Sequence, residues 1–168
     1  MKKISIVLVT VLFIFGCSTM SKLEYSGNYA VVQEDRKSIQ GDYSIESFLL
    51  YKKSFFDLHI VSIEKIKKTS MNPYYFISIR YRGDGWEFIN GIKIKTDSTL
   101  FTLVDDGPSR ETLGGSKVAE HASIVLSQNN IDAIKSTNSL ILQYESKYKN
   151  DPITIPVEGI VKLKAFIE

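Results

Sequence analysis

The sequence predicts a mainly β protein, an antiparallel β-sandwich-like domain with one or two short helices, with an α+β arrangement as its near relative. Three observations carry that prediction. From Tyr74 to Arg82 apolar and polar residues alternate, with Tyr75, Ile77, Ile79 and Tyr81 on one face and Ser78, Arg80 and Arg82 on the other, the period-two pattern of a half-buried strand. Runs of this texture follow one another between Phe55 and Val104, separated by Met71-Asn72-Pro73, Gly83-Asp84-Gly85 and Asp97-Ser98; closely spaced strands joined by turn residues form meanders or sandwiches. Helical spacing surfaces only briefly, near Ile45, near Ile131 and near Val157.

Ser18 to Gln40 is polar apart from the patch Tyr29 to Val32, and reads as a tether with room for one short strand. Ser44 stands where a helix cap would precede Ile45, Phe48 and Leu49, although Phe48-Leu49-Leu50 suits a buried strand equally. Phe56 to Ile63 is rich in β-branched and aromatic residues and begins the run of strands. After the Gly83-Asp84-Gly85 turn, Phe88, Ile92 and Ile94 alternate against Lys93 and Lys95, and Leu100 to Val104 follows. Asp105 to Ser116, with Gly107, Pro108, Gly114 and Gly115, reads as the longest loop. Val118 to Leu126 resumes the strand pattern. Ser127 then caps a short helix bearing Ile131 and Ile134, which Asn138 is expected to end in a left-handed conformation. Leu140, Leu142 and Tyr144 alternate, Ile153-Thr154-Ile155 makes a last strand, and Val157, Ile160 and Val161 suit a closing helix, though Val161, Leu163, Ala165 and Ile167 also alternate. The run from Trp86 through the loop to Glu120 and the Ile131 helix is similar to β-rich modules of uncharacterised secreted bacterial proteins. That resemblance brings no known chemistry with it.

At the amino terminus Lys2 and Lys3 precede Ile4 to Phe15, interrupted only by Ser5 and Thr10, the layout of a secretory signal. As a helix this run would span about 18 Å, against the roughly 30 Å of a bilayer's hydrocarbon. Ile14-Phe15-Gly16-Cys17 resembles the lipobox of bacterial lipoproteins, matched at Ile14, Gly16 and Cys17. The resemblance implies a diacylglyceryl group on the Cys17 thiol, cleavage before it, and acylation of the new amino group with a fatty acid such as palmitate. The expected organisation is a signal peptide over 1–16, a lipidated tether over 17–42 and a β-rich globular domain over 43–168. The location so implied is the bacterial cell envelope, anchored in the membrane by lipid. The non-acidic Ser18 goes, in proteobacterial lipoproteins, with the outer rather than the inner membrane.

Of the 21 basic side chains, Lys2 and Lys3 leave with the leader, so 19 face 19 acidic ones in the mature chain. This balance points away from nucleic acid. With Cys17, the only cysteine, consumed by lipid, stability must come from the core rather than from disulfides.

Catalytic templates find little. Ser62-Ile63-Glu64-Lys65 spells Ser-x-x-Lys, but that motif needs a helix start and partner motifs, and Ser146 to Lys149 spells it again. Neither Gly-x-Ser-x-Gly nor His-Glu-x-x-His occurs. His59 and His121, the only histidines, are too few for a closed all-His/Cys zinc site once Cys17 is acylated, which leaves a mixed site with carboxylates as the alternative. Asp97, Asp105, Asp106 and Glu111 lack calcium-loop spacing. No metal or other cofactor is expected, and an enzyme is not the favoured reading. Arg82-Gly83-Asp84 resembles integrin-binding tripeptides and reads as an exposed turn, while Lys65, Lys67 and Lys68 read as a basic cluster at a solvated strand end, with anionic lipid headgroups as the alternative. Glu120 is the one carboxylate that the strand register turns toward the core, beside Val118, Ala122 and Ile124. It should accept hydrogen bonds from backbone amides or from Arg80 or Arg110, and Glu120, Arg80 and Arg110 are therefore the candidate binding residues. The functional expectation is a binding or assembly module with an envelope protein as partner; a hydrolase of the envelope and an adhesin acting through Arg82-Gly83-Asp84 are the alternatives.

Overall fold

The computed structural model describes residues 29, 31–36, 43–54, 57–68, 71–148 and 152–168. The signal segment, Cys17 and most of the expected tether lie outside the described residues. Among the described residues ten strands and two helices follow in order: β1 (Val31–Arg36), β2 (Tyr43–Ser54), β3 (Leu58–Lys68), β4 (Tyr74–Asp84), β5 (Gly91–Lys95), β6 (Leu100–Val104), β7 (Ser109–Gly114), β8 (Lys117–Val125), α1 (Gln128–Ser136), β9 (Leu140–Glu145), β10 (Ile153–Ile155) and α2 (Val157–Ile167). They form two antiparallel sheets, a six-stranded one in the order β1-β2-β3-β4-β8-β7 and a four-stranded one in the order β10-β9-β5-β6. The mainly β, sandwich-like architecture with two short helices is the one the alternation predicts.

The core is the inner face of the large sheet closed by the small one. Ile63 pairs with Ile77, which pairs with Ile124, and the next inward row is Val61, Ile79 and Ala122. Ile92, Ile94, Leu140 and Leu142 of the small sheet complete the layer, all at most 1 % exposed. α2 covers part of the large sheet that the smaller one does not reach: Phe166 meets Phe48 with ring centroids 5.4 Å apart. Its carboxyl end is held by the sheet, as Lys65 Nζ donates to the Phe166 carbonyl at 3.0 Å and the Tyr75 hydroxyl to that of Ile167 at 2.8 Å. These satisfy carbonyls with no partner inside the helix, and the ammonium also opposes the negative end of the helix dipole.

Several expectations are corrected. The Ser44 segment is strand, since β2 is paired on both sides, to β1 and to β3. Asp105 to Ser116 is no loop: β7 pairs with β8 and turns through Gly114 and Gly115, both at positive φ. Every β7 residue is exposed, so it lacks the one-sided alternation that would reveal a strand. β4 runs on through Arg82, Gly83 and Asp84, each paired to β8, so the Arg82-Gly83-Asp84 tripeptide is in a strand and not at a loop tip. The α1 capping box closes at Ser127 and Asn130 as a helix start should, but its end is Thr137 in extended conformation. Asn138 is not left-handed, because Asp97 takes its N–H at 2.6 Å. α2 buries Ile160, Leu163, Phe166 and Ile167 and leaves Val157 and Val161 exposed. Lys65 is 8 % exposed and Lys67 bonds Glu46 at 2.6 Å, so the basic cluster is divided between a helix cap and an ion pair.

β5 and β6 meet at Gly91, where a Cβ would lie 2.4 Å from the Leu103 carbonyl oxygen. Gly91→Ala should push the two strands apart and lower stability by about 1–3 kcal/mol. Gly107→Ala, with nothing within 4 Å of its Cβ, should melt like the parent in the same chemical-denaturation series.

Candidate functional site

The inner face becomes polar at the end of the sandwich farthest from α2, where β3, β4 and β8 contribute His59, Tyr81 and Glu120 in one register row. Glu120 is 2 % exposed. Its Oε1 accepts the N–H groups of Glu87 at 2.6 Å and Phe88 at 3.0 Å; its Oε2 accepts that of Ile89 at 2.9 Å and Arg110 Nε at 3.3 Å. Three successive amides curling round one carboxylate make an anion nest, and the arginine supplies the countercharge. Arg110 Nη2 also donates to the Ile89 carbonyl at 3.1 Å. Of the two arginines expected near Glu120, Arg110 is therefore the one that reaches it. Arg80 points to the opposite face and bonds Glu64 at 2.6 Å, because successive strand residues alternate faces.

The nest requires an unusual backbone. Phe88 has φ +57°, a left-handed conformation that costs a bulky residue about 1–3 kcal/mol. With both oxygens occupied by its own backbone and Arg110, Glu120 fixes the Trp86–Asn90 crossover between the sheets rather than offering a free carboxylate to a ligand.

Around it sits an acid-rich group. The Tyr144 hydroxyl lies 3.0 Å from His59 Nδ1, and His59 Nε2 lies 3.6 Å from Glu87 Oε1. Burial, and then the Lys53 charge, hold the His59 imidazole below its ordinary value. Burial, then Glu120 and Asp57, raise the Glu87 carboxyl. Both shifts favour neutral forms, so the 3.6 Å contact is not a strong ion pair, and Glu87 Oε2 is buried without a hydrogen-bond partner among the described residues. Burial, together with Asp57, Glu87, Glu120 and Asp84, pushes the Tyr81 hydroxyl up to about 12.

The outer face of the large sheet carries a second set of polar groups, none of them foreseen as a set. Ile60, Arg80, His121 and Ser109 form one row across β3, β4, β8 and β7; Leu58, Arg82, Ala119 and Glu111 form the next. Together they line a groove of about 590 Å³. His121 Nε2 lies 2.9 Å from Ser78 Oγ at its margin, and burial with the Arg80 charge keeps this imidazole below its ordinary value, against the opposite pull of Glu64 and Asp105. A serine bonded to a neutral histidine is half of a nucleophile–base pair. Ser78, however, is 0 % exposed and strand-paired on both sides, to Ser62 and Ser123. Its own amide and those flanking it belong to the sheet ladder, which leaves no local pair of donors for an oxyanion. Arg82 is exposed and, among the described residues, has no charge partner. Among the described residues no three histidine, cysteine or acidic side chains converge as a metal site would require.

No family model, curated protein or solved structure matches the chain.

Glu120→Ala should lower stability by about 3–5 kcal/mol, since three amides and a half-buried guanidinium lose their acceptor; Glu120→Gln, which keeps one oxygen, should fall between that variant and the parent. Urea denaturation at neutral pH measures both. The titrations set a pH profile. The two histidines have folded pKa values below the ordinary 6.5, so their contribution is complete above that pH and is lost as the pH falls through the depressed values. Glu87 runs the other way, losing stability as pH rises from 4.5 toward its raised value, and Tyr81 does the same between 10.0 and about 12. Thermal melts should therefore show a decline below pH 6.5 that His121→Asn reduces, and a second decline above pH 10 that Tyr81→Phe reduces, the raised Tyr29 hydroxyl accounting for part of the remainder.

Proposed function

We propose that the chain is a lipid-anchored binding module of the bacterial cell envelope, held by Cys17 and recognising an envelope partner through the outer groove of its large sheet. The observation that supports this reading most is the uncommitted Arg82 beside Arg80 and His121, over a floor of Leu58, Ile60 and Ala119. An exposed cation without a counter-ion among the described residues, set next to apolar surface, suits a partner that brings a carboxylate or phosphate into the groove. The lipobox-like Ile14-Phe15-Gly16-Cys17 supports the anchor, and two or more acyl chains would hold the domain stably where one gives only marginal binding. The outer membrane is the proposed location, on the strength of Ser18. A hydrolase is the second reading, favoured by the Ser78–His121 hydrogen bond and weakened by the burial of Ser78.

Cys17→Ser should abolish palmitate labelling and shift the protein from the detergent to the aqueous phase; unchanged partitioning would overturn the anchor. For the groove, a photocrosslinking side chain placed at Glu111 should give discrete adducts in intact cells that Arg82→Glu abolishes, whereas the same probe at Thr102 on the other sheet should give none. Adducts indifferent to Arg82→Glu would reject the groove as the binding surface.

A further inference from the structure

The strain at Phe88 has a second consequence on the surface. Its left-handed backbone turns the ring outward, 42 % exposed, although a core-facing or polar residue would suit a crossover between sheets. Half-buried Trp86 backs it, with ring centroids 6.5 Å apart. Tyr148 is 56 % exposed, and the Lys147 ammonium lies 5.5 Å from the Phe88 centroid and 5.7 Å from that of Tyr148. The Arg110 guanidinium is 5.6 Å from the same Phe88 ring. A depression of about 370 Å³ opens here, lined by Phe88, Asn90, Ser146 and Lys147.

The surface is preorganised. Lys147 N–H donates to the Glu87 carbonyl at 2.9 Å and Asn90 N–H to that of Glu145 at 3.1 Å, tying the loop after β9 to the crossover that Glu120 already fixes. Ser146 Oγ is occupied within its own turn, so the Asn90 amide and the Lys147 ammonium are the groups available to a ligand. Lys147 has no carboxylate partner among the described residues.

We propose that this aromatic depression binds a saccharide carrying a carboxylate, at a site independent of the outer groove and of the anchor. One face of a pyranose is a patch of C–H groups with slight positive charge, which matches the electron-rich face of an exposed ring such as Phe88. The ring edge is a circle of hydroxyls that Asn90 can both donate to and accept from. Lys147 provides the cation that selects an acidic sugar over a neutral one. A backbone held strained so as to expose an apolar ring is the kind of outlier from which function is inferred. Because carbonyl and carboxylate contacts fix both segments beforehand, little ordering would remain to oppose binding.

The test is calorimetric titration of the full chain in detergent with trigalacturonate, and with triacetylchitotriose as the neutral comparison. The parent should bind the acidic trisaccharide at millimolar or tighter affinity and the neutral one at least about tenfold more weakly. Phe88→Gly removes the ring and also relieves the left-handed strain, so it should lose binding while melting at or above the parent's temperature, a combination that a merely structural role for Phe88 would not produce. Lys147→Gln should abolish the preference for the acidic sugar. Absence of binding to trigalacturonate at about 10 mM, binding by Phe88→Gly equal to the parent's, or equal affinity of the parent for the two sugars would each overturn the proposal.

Discussion

The buried carboxylate of Glu120 is the constraint on which the join between the two sheets depends. Taking an ion of this size out of water costs about several kcal/mol even after relaxation. Three charge-assisted bonds from Glu87, Phe88 and Ile89, at about 1.5–3 kcal/mol each, together with Arg110 offset that cost only because all four donors converge. The consequence is a single path for the crossover. Asn90 then bonds Glu145, Asp105 bonds Asn90, and Lys147 bonds Glu87, so three connections of the chain meet around one side chain of β8.

That arrangement also sets the electrostatics of its end of the molecule. Glu87 and Tyr81 are pushed toward their protonated forms by burial first and then by neighbouring carboxylates, Glu120 among them. His59 is driven to its neutral form by burial and completes the layer through its rings, 4.9 Å from Tyr81 and 5.6 Å from Tyr144. The opposite end solves a different problem: there Lys65 and Tyr75 on the sheet satisfy the last carbonyls of α2. Both ends of the sandwich are thus closed by polar side chains from the large sheet that hold backbone from elsewhere in the chain.

The inner and outer faces of β4 show how one strand serves two ends. Tyr75, Ile77, Ile79 and Tyr81 build the core, while Arg80 and Arg82 face the groove with Ser78 buried at its margin, and the ladder that holds both faces also ties up the amides around Ser78. The outer face is thereby better suited to contact than to covalent chemistry, and the crossover presents an aromatic surface only because Glu120 bends the backbone beneath Phe88.

From the sequence alone came the β class, β3 to β6 and β8 to β10, the Ser127 helix start and the inward, hydrogen-bonded placement of Glu120, because each is written in local periodicity, capping chemistry or the face on which a residue falls. The proposed amino-terminal signal and Cys17 anchor rest on local pattern alone and lie outside the described residues. What only the tertiary structure decided were features whose cause lies elsewhere in the chain. β7 is exposed on both sides and exists by pairing with β8. Arg110 rather than Arg80 reaches Glu120 because it is the register partner of Glu120 across β7 and β8 and shares its face, whereas Arg80 is opposite His121. Lys65 left the solvent to cap a helix 101 residues away, and Phe88 took a conformation no propensity would assign it. At Lys65 and at Phe88 a backbone group is met by a side chain from elsewhere in the chain, the Phe166 carbonyl by Lys65 and the Phe88 N–H by Glu120, and the unmet hydrogen bond that drives such pairing is not visible until the fold brings the two together.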